Sequence, residues 1–137
     1  MKQEDKELLL QDLCARLPYG VIINCIDPHF SGSTDEKLYS VNWLEQTVMS
    51  GEWTSEYNID NIKPYLRPLS SITEEERKEY DQLCYNCQEQ DSVDYNITEL
   101  DRTQLVYVID WLNAHHFDYR GLIPRGLALE APEGMYN

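Results

Sequence analysis

The sequence lacks any long apolar run. No stretch approaches the roughly 20 apolar residues that a membrane-spanning helix needs. The N-terminal MKQEDKELLL mixes both charge signs before only three leucines, and so it lacks the apolar core of a signal peptide. We therefore expect a cytosolic (cytoplasmic) protein that does not engage a membrane.

Cysteine is also scarce, with four residues at positions 14, 25, 84 and 87. In a reducing compartment these four default to thiols. Cys84 and Cys87 have the spacing of half a structural zinc site, but no second pair follows, and buried thiols are the favoured interpretation. The chain has no phosphate-cradling glycine loop, nucleophile elbow or HExxH motif. We expect no metal and no cofactor.

Basic residues are few, since 11 lysines and arginines stand against 25 aspartates and glutamates, for a net charge of −14. Counterion release from phosphates is the main source of affinity for duplex nucleic acid, and an acidic surface cannot supply it. Direct nucleic-acid binding is therefore not expected. Such a surface suits solubility, a basic partner protein or imitation of a phosphate backbone.

The 137 residues fit a single domain, 1–137, of common size. Leucines at spacings of three and four predict a helix over 4–17. β-Branched density predicts a strand over 21–26, and alternation of Tyr39, Val41 and Trp43 with polar residues predicts a second over 37–45. A third strand is predicted over 53–59. Short connections between them favour an antiparallel meander.

Pro64 and Pro68 end the predicted sheet, because each proline removes a backbone donor. We expect an extended connector there. Thr73 and Glu76 form a capping box that begins a helix, and a similar start at Thr98 begins another. The predicted fold is α+β: an N-terminal helix, a curled, barrel-like antiparallel sheet of three or four strands, and two C-terminal helices packed on it.

The last helix has the strongest apolar periodicity in the chain. Leu105, Val108, Ile109, Leu112 and His116 recur at spacings of three and four, which predicts one buried face. We interpret this helix as the best-buried element and the structural centre.

A cationic segment follows that helix in HHFDYRGLIPRG, residues 115–126. Guanidinium groups beside an aromatic ring can hold a phosphate and stack a base, and glycine lets a backbone approach a ligand. The predicted site for a small nucleotide-like ligand comprises Arg120, Arg125, Tyr119, His115 and Gly121. In the alternative interpretation, the arginines pair with carboxylates of the same chain or of another copy.

Acid–base chemistry at His115 or His116, with Asp118 nearby, is a weaker hypothesis. Histidine near a carboxylate can transfer protons, which would make the chain a small hydrolase. However, histidines in the last turn of a helix also interact favourably with its carbonyl end. We therefore assign no catalytic residue.

An acidic surface offers a third hypothesis. Between Thr73 and Asp101, ten carboxylates stand against Arg77 and Lys78, a density that can imitate phosphates and block a basic protein surface. The candidate residues of this nucleic-acid mimic are Glu74, Glu75, Glu79, Asp91 and Asp94. A solvated helix face is the simpler interpretation.

Three stretches, at 12–21, 60–76 and 110–136, resemble a family of small proteins carried by phages and prophages of gut anaerobic bacteria. The resemblance implies no residue-level activity. It implies an accessory gene of a mobile element, for which interference with a host defence process is expected. We expect a non-enzymatic binding protein that takes a nucleotide-like ligand or a host protein. Ten tyrosines and three tryptophans suit an interface, and homo-oligomerisation is possible.

Overall fold

The computed structural model describes the backbone of residues 1–51, 55–91 and 97–136, and their side chains outside 85–104. The fold class is α+β, as predicted. In chain order the elements are α1 (Gln3–Arg16), β1 (Ile22–Ile26), β2 (Ser33–Asn42), β3 (Thr47–Ser50), β4 (Ser55–Asn58), β5 (Ile62–Leu66), α2 (Glu74–Asp91), α3 (Ile97–Ala114) and β6 (Leu129–Glu130).

Within the described residues, the sheet has six strands in the order β4-β3-β2-β1-β5-β6. Its first four pairings are antiparallel and the β5–β6 pairing is parallel. The two edge strands do not pair with each other, so the sheet is open. The prediction of a barrel-like sheet of three or four strands is wrong, because it omitted β3, β5 and β6.

A β-bulge explains why the alternation of residues in β2 predicted the wrong buried face. The register with β3 shifts between Leu38 and Ser40, which leaves Tyr39 as the extra residue. A bulge reverses which alternate residues face the core. Leu38 is buried, Val41 packs partly into the core, and Tyr39 and Trp43 are exposed. The strand also ends at Asn42, and a turn follows.

The predicted connector at Pro64 is a strand. Pro64 stands opposite Ile23 of β1, and pairing of β5 with β6 begins only at Tyr65. The Ile22 amide points toward β5, so the next pair, Ile23 and Pro64, is a non-hydrogen-bonded pair whose N–H positions face away from each other. The missing N–H of Pro64 therefore costs the β1–β5 ladder no bond.

The main core lies between α1 and the inner face of the sheet. It is formed by leucines of α1, alternate residues of the strands and the C-terminal segment 122–128. The two C-terminal helices instead pack on each other around Val108, Leu112, Phe117, Tyr80 and Leu83, in a second cluster. Among the described side chains, these helices contribute to this second cluster and not to the core of the sheet.

The apolar face predicted from the periodicity of α3 is only partly buried. Val108, Leu112 and His116 are buried as predicted, whereas Leu105 and Ile109 are exposed. Packing against α2 uses the face that carries Val108 and Leu112. The prediction that α3 is the best-buried helix is wrong, and α1 has that position.

The capping box at the start of α2 is confirmed. The Thr73 hydroxyl accepts a hydrogen bond from the Glu76 amide at 3.2 Å, and the Glu76 carboxylate accepts one from the Thr73 amide at 3.0 Å. Arg67 donates two further bonds of 2.7 Å to that carboxylate. The bidentate bond from Arg67, followed by those from Thr73, lowers the pKa of Glu76 to about 2 despite partial burial.

Candidate functional site

Arg120, the first arginine of the predicted ligand site, lies beside a buried carboxylate of α1. Its Nε is 3.2 Å from Asp12 Oδ1, in an ion pair without hydrogen-bond alignment. The other oxygen of Asp12 accepts a 2.7 Å bond from Arg16 Nε. Asp12 and Arg16 are both fully buried. One carboxylate therefore serves two guanidinium groups.

Both of those arginines lie close to the Tyr119 ring. The guanidinium carbons of Arg16 and Arg120 are each 5.2 Å from the centre of its ring. Its hydroxyl donates a 2.8 Å bond to Asn113, which is buried at the end of α3. The ring and the hydroxyl thus have partners within the chain.

Arg125 and Gly121 also have structural roles. Arg125 lies 3.5 Å from Asp5 at the start of α1, in a pair where the arginine side chain is 57% exposed. Gly121 has a φ of +75°, a conformation that favours glycine. Nothing lies within 4 Å of where its Cβ would stand. Its backbone conformation, and not a close approach, accounts for the glycine.

His115 is packed against Trp111. Its ring lies 4.1 Å from the Trp111 ring, and Nδ1 donates to the Trp111 carbonyl at 2.9 Å. Nε2 is 3.9 Å from Glu79, whose carboxylate also accepts a 3.1 Å bond from Trp111 Nε1. The predicted ligand residues are therefore near one another in sequence, but the four side chains of Arg120, Arg125, Tyr119 and His115 each have a different intrachain partner.

His116 lies two residues after the end of α3 and has a left-handed backbone conformation, with a φ of +63°. Its ring stacks on Tyr136 at 3.6 Å, and Nδ1 has no hydrogen-bond partner among the described residues. Burial, followed by the charges of Arg16 and Arg67, lowers the pKa of His116 to about 4. Its imidazole is therefore neutral near pH 7. Asp118 accepts bonds from the amides of Leu122 and Ile123 and so holds the loop.

Tyr136 was not singled out from the sequence, yet it joins two strands. Its hydroxyl accepts a 2.9 Å bond from the Ile22 amide and donates a 2.7 Å bond to the Tyr65 carbonyl. The hydroxyl thus occupies the place of a direct rung between β1 and β5. Burial raises the pKa of Tyr136 to about 12, so the hydroxyl remains a donor.

Asp12 and Arg16 were also missed, although the sequence carries a signal for them. They lie three and seven residues after Leu9, on the apolar stripe of α1. A charged pair spaced by four on a buried stripe indicates an internal ion pair. The Arg16 guanidinium also donates a 2.7 Å bond to the Phe117 carbonyl and thereby ties α1 to the cationic segment.

A cavity of about 440 Å³ lies between residues 67–73 and 130–136. Arg67 lines it, but this guanidinium is bonded to Glu76, Ser71 and the His115 carbonyl and lies over the Phe117 ring. The Arg67 guanidinium is therefore already engaged within the chain and is not available to bind an anion in the cavity. Glu130 and Glu133 stand on the opposite wall.

The acidic residues of the mimic hypothesis are partly described. Glu74, Glu75 and Glu79 are exposed in the first half of α2. The side chain of Asp91 and the whole of Asp94 lie outside the described residues. The described carboxylates thus form an acidic surface on one helix, next to the Trp111 and His115 pair through Glu79.

An exposed apolar surface lies on the neighbouring helix. Leu105, Val106 and Tyr107 are each 56% exposed, and Ile109 is 37% exposed. Ile109 follows Val106 by three residues and Leu105 by four, the spacings at which side chains are neighbours on a helix surface, and we call Leu105, Val106 and Ile109 the α3 stripe. A different face of α3, which carries Val108 and Leu112, packs on α2. The stripe therefore has no covering element among the described parts of the chain.

The cysteines form no cluster within the described residues. Cys14 is exposed, Cys25 is buried and Cys84 is partly buried, all as thiols. The side chain of Cys87 lies outside the description. Among the described side chains, no group of three His, Cys, Asp or Glu residues converges as metal ligands would. None of the described helices is long and apolar enough to span a bilayer.

Comparison with known proteins adds no relative. Protein-family models, curated proteins and solved structures were all compared with the chain, and none matches it. The residues and their geometry therefore carry the functional argument.

Proposed function

We propose that this chain is a non-enzymatic binding protein that acts by engaging another protein through α3. The observation that carries the proposal is the α3 stripe, Leu105, Val106 and Ile109, which is exposed on a helix that packs on α2 through a different face. Adjacent exposed apolar side chains are typical of surfaces that bind a partner. Tyr107, exposed beside them, adds an aromatic group of the kind enriched at interfaces.

A protein partner is favoured over a nucleotide-like ligand by the state of the arginines. Phosphate would compete with Asp12 for Arg120, and with Asp5 for Arg125. Both arginines therefore already lie against a carboxylate of this chain, and a phosphate has to displace that carboxylate before it can bind.

The resemblance to proteins of phages and prophages supports a host protein as the partner. In that setting the binding protein acts in the host cytosol and antagonises a host process, of which defence is the expected one. This part of the proposal rests on the sequence blocks alone.

Site-specific photo-crosslinking tests the proposal. Benzoylphenylalanine replaces Tyr107 in one variant and Leu44 in another, and both are expressed in a gut anaerobic host. Leu44 is 91% exposed on the turn after β2 and serves as the matched apolar control. We expect a discrete crosslinked protein from position 107 that is absent from position 44. It is lost when Leu105, Val106 and Ile109 are all changed to serine.

The acidic mimic remains a second candidate, favoured by the exposure of Glu74, Glu75 and Glu79. A mimic acts mainly through charge, so its complex dissociates as salt screens the carboxylates. Capture that is abolished by Glu74→Gln, Glu75→Gln and Glu79→Gln together, but is retained by the triple serine variant of α3, would favour the mimic over the α3 surface.

A further inference from the structure

The chemistry of the residues around the α3 stripe defines what kind of surface it fits. We infer that the partner presents an apolar surface bordered by lysine or arginine side chains, with the stripe on the apolar part and Asp110 on the border. This inference rests on the proposed function and specifies its partner.

Asp110 borders the stripe on its own helix. It follows Val106 by four residues, the spacing at which side chains are neighbours on a helix surface. Asp110 is exposed, and no ion pair engages it among the described residues. A lysine or arginine of the partner can therefore approach Asp110 while apolar atoms cover Val106 and Ile109.

Charge decides between a different protein and a second copy of this chain. The net charge is −14, and Glu74, Glu75 and Asp81 are exposed on the neighbouring α2. A second copy would bring the same negative surface, and like charges oppose association. A basic border attracts the acidic helix pair and raises the rate of encounter.

Two synthetic amphipathic helices serve as probes of this chemistry. One has a leucine face bordered by lysines, and the other has the same leucines bordered by glutamates. Fluorescence anisotropy with the intact protein measures both affinities. We expect the leucine-lysine peptide to bind at least tenfold more tightly. The triple change Leu105→Ser, Val106→Ser and Ile109→Ser should weaken it at least tenfold.

Matched controls separate the surface from the overall charge. Leu44→Ser and Glu45→Gln alter an exposed apolar and an exposed acidic residue on the turn after β2. We expect neither to change the affinity for the leucine-lysine peptide, whereas Asp110→Asn weakens it severalfold. Thermal melting shows that each variant is folded.

Several results would overturn the inference. Equal binding of the two peptides, or equal effects of Asp110→Asn and Glu45→Gln, would contradict a basic border on the partner. If the triple serine variant binds the peptide with unchanged affinity, the α3 stripe is not the binding surface. Sedimentation that shows a dimer lost in the triple variant would identify a second copy as the occupant. Each of these results concerns only the chemistry of the partner. The proposed function is tested independently by the crosslinking at position 107.

Discussion

The Arg120 guanidinium lies 3.2 Å from the carboxylate of Asp12, which is fully buried in α1. The same carboxylate accepts a 2.7 Å bond from Arg16. A residue from the N-terminal helix thus contacts two arginines, one of which belongs to the C-terminal segment. Arg120 therefore has a carboxylate of its own chain within ion-pair distance.

Removing Asp12 should destabilise the protein strongly. Asp12→Ala leaves Arg16 buried without its carboxylate, and breaking a buried pair in this way costs about 3 to 5 kcal/mol. Asp5→Ala, on the same helix, breaks only the exposed pair with Arg125 and should cost less than about 1 kcal/mol. Urea denaturation of the two variants measures both free energies of unfolding. Equal losses would contradict the burial of the Asp12 pair.

The predicted nucleotide site can be tested by thermal melting over a panel of linear and cyclic nucleotides. Because Arg120 and Arg125 have carboxylate partners, we expect no rise in the melting temperature. A rise with one nucleotide that disappears in Arg125→Ala would instead support the ligand prediction. Arg125 is the informative position, since its side chain is 57% exposed and its removal should leave the core intact.

Acid should weaken the fold through His116. Its folded pKa of about 4 lies below the ordinary histidine pKa of 6.5, so the unfolded chain binds a proton first as the pH falls. Stability is therefore lost between pH 6.5 and pH 4, by about 3 kcal/mol as an order of magnitude. His116→Asn, which tolerates the positive φ, should flatten the slope of unfolding free energy between pH 6.5 and 5.

Glu76 provides the internal comparison for that experiment. Its pKa of about 2 lies below the ordinary glutamate pKa of 4.5, so its contribution to stability is present above pH 4.5 and is lost as the pH falls toward 2. His116→Asn should leave this lower window unchanged. A slope above pH 5 that persists in the variant would show that other groups carry it.

Tyr136→Phe should weaken the junction of β1 and β5. The change removes the hydroxyl that accepts from Ile22 and donates to Tyr65, and an unsatisfied buried group costs about 1 to 3 kcal/mol. Tyr39→Phe, at an exposed ring, is the control and should be nearly neutral. Hydrogen exchange at the Ile22 amide should accelerate only in the Tyr136 variant. Unchanged protection there would contradict the bridging role.

Local features of the fold were predictable from neighbouring residues. The leucine stripe identified α1, and Thr73 with Glu76 identified the start of α2. The features that were missed depend on distant partners. Pro64 joins a strand because of what Ile23 and Tyr136 contribute, and the bulge at Tyr39 depends on the register with β3.

The candidate site was likewise predicted only in part, because some of its contacts depend on distant residues. Composition indicated that carboxylates of the chain compete for Arg120, but only the packing of α1 selects Asp12. The periodicity of α3 correctly identified its apolar residues. It could not distinguish those that meet α2 from Leu105 and Ile109, because both sets share one helical period.

The bridge made by Tyr136 has a consequence for how the chain is built. Ile22 and Tyr136 are 114 residues apart, and Arg16 and Phe117 are 101 apart. Closing such long loops is slow, because the chain loses much entropy before the contact forms. During synthesis, the Ile22 amide therefore cannot form this hydrogen bond until Tyr136, 114 residues later, has left the ribosome.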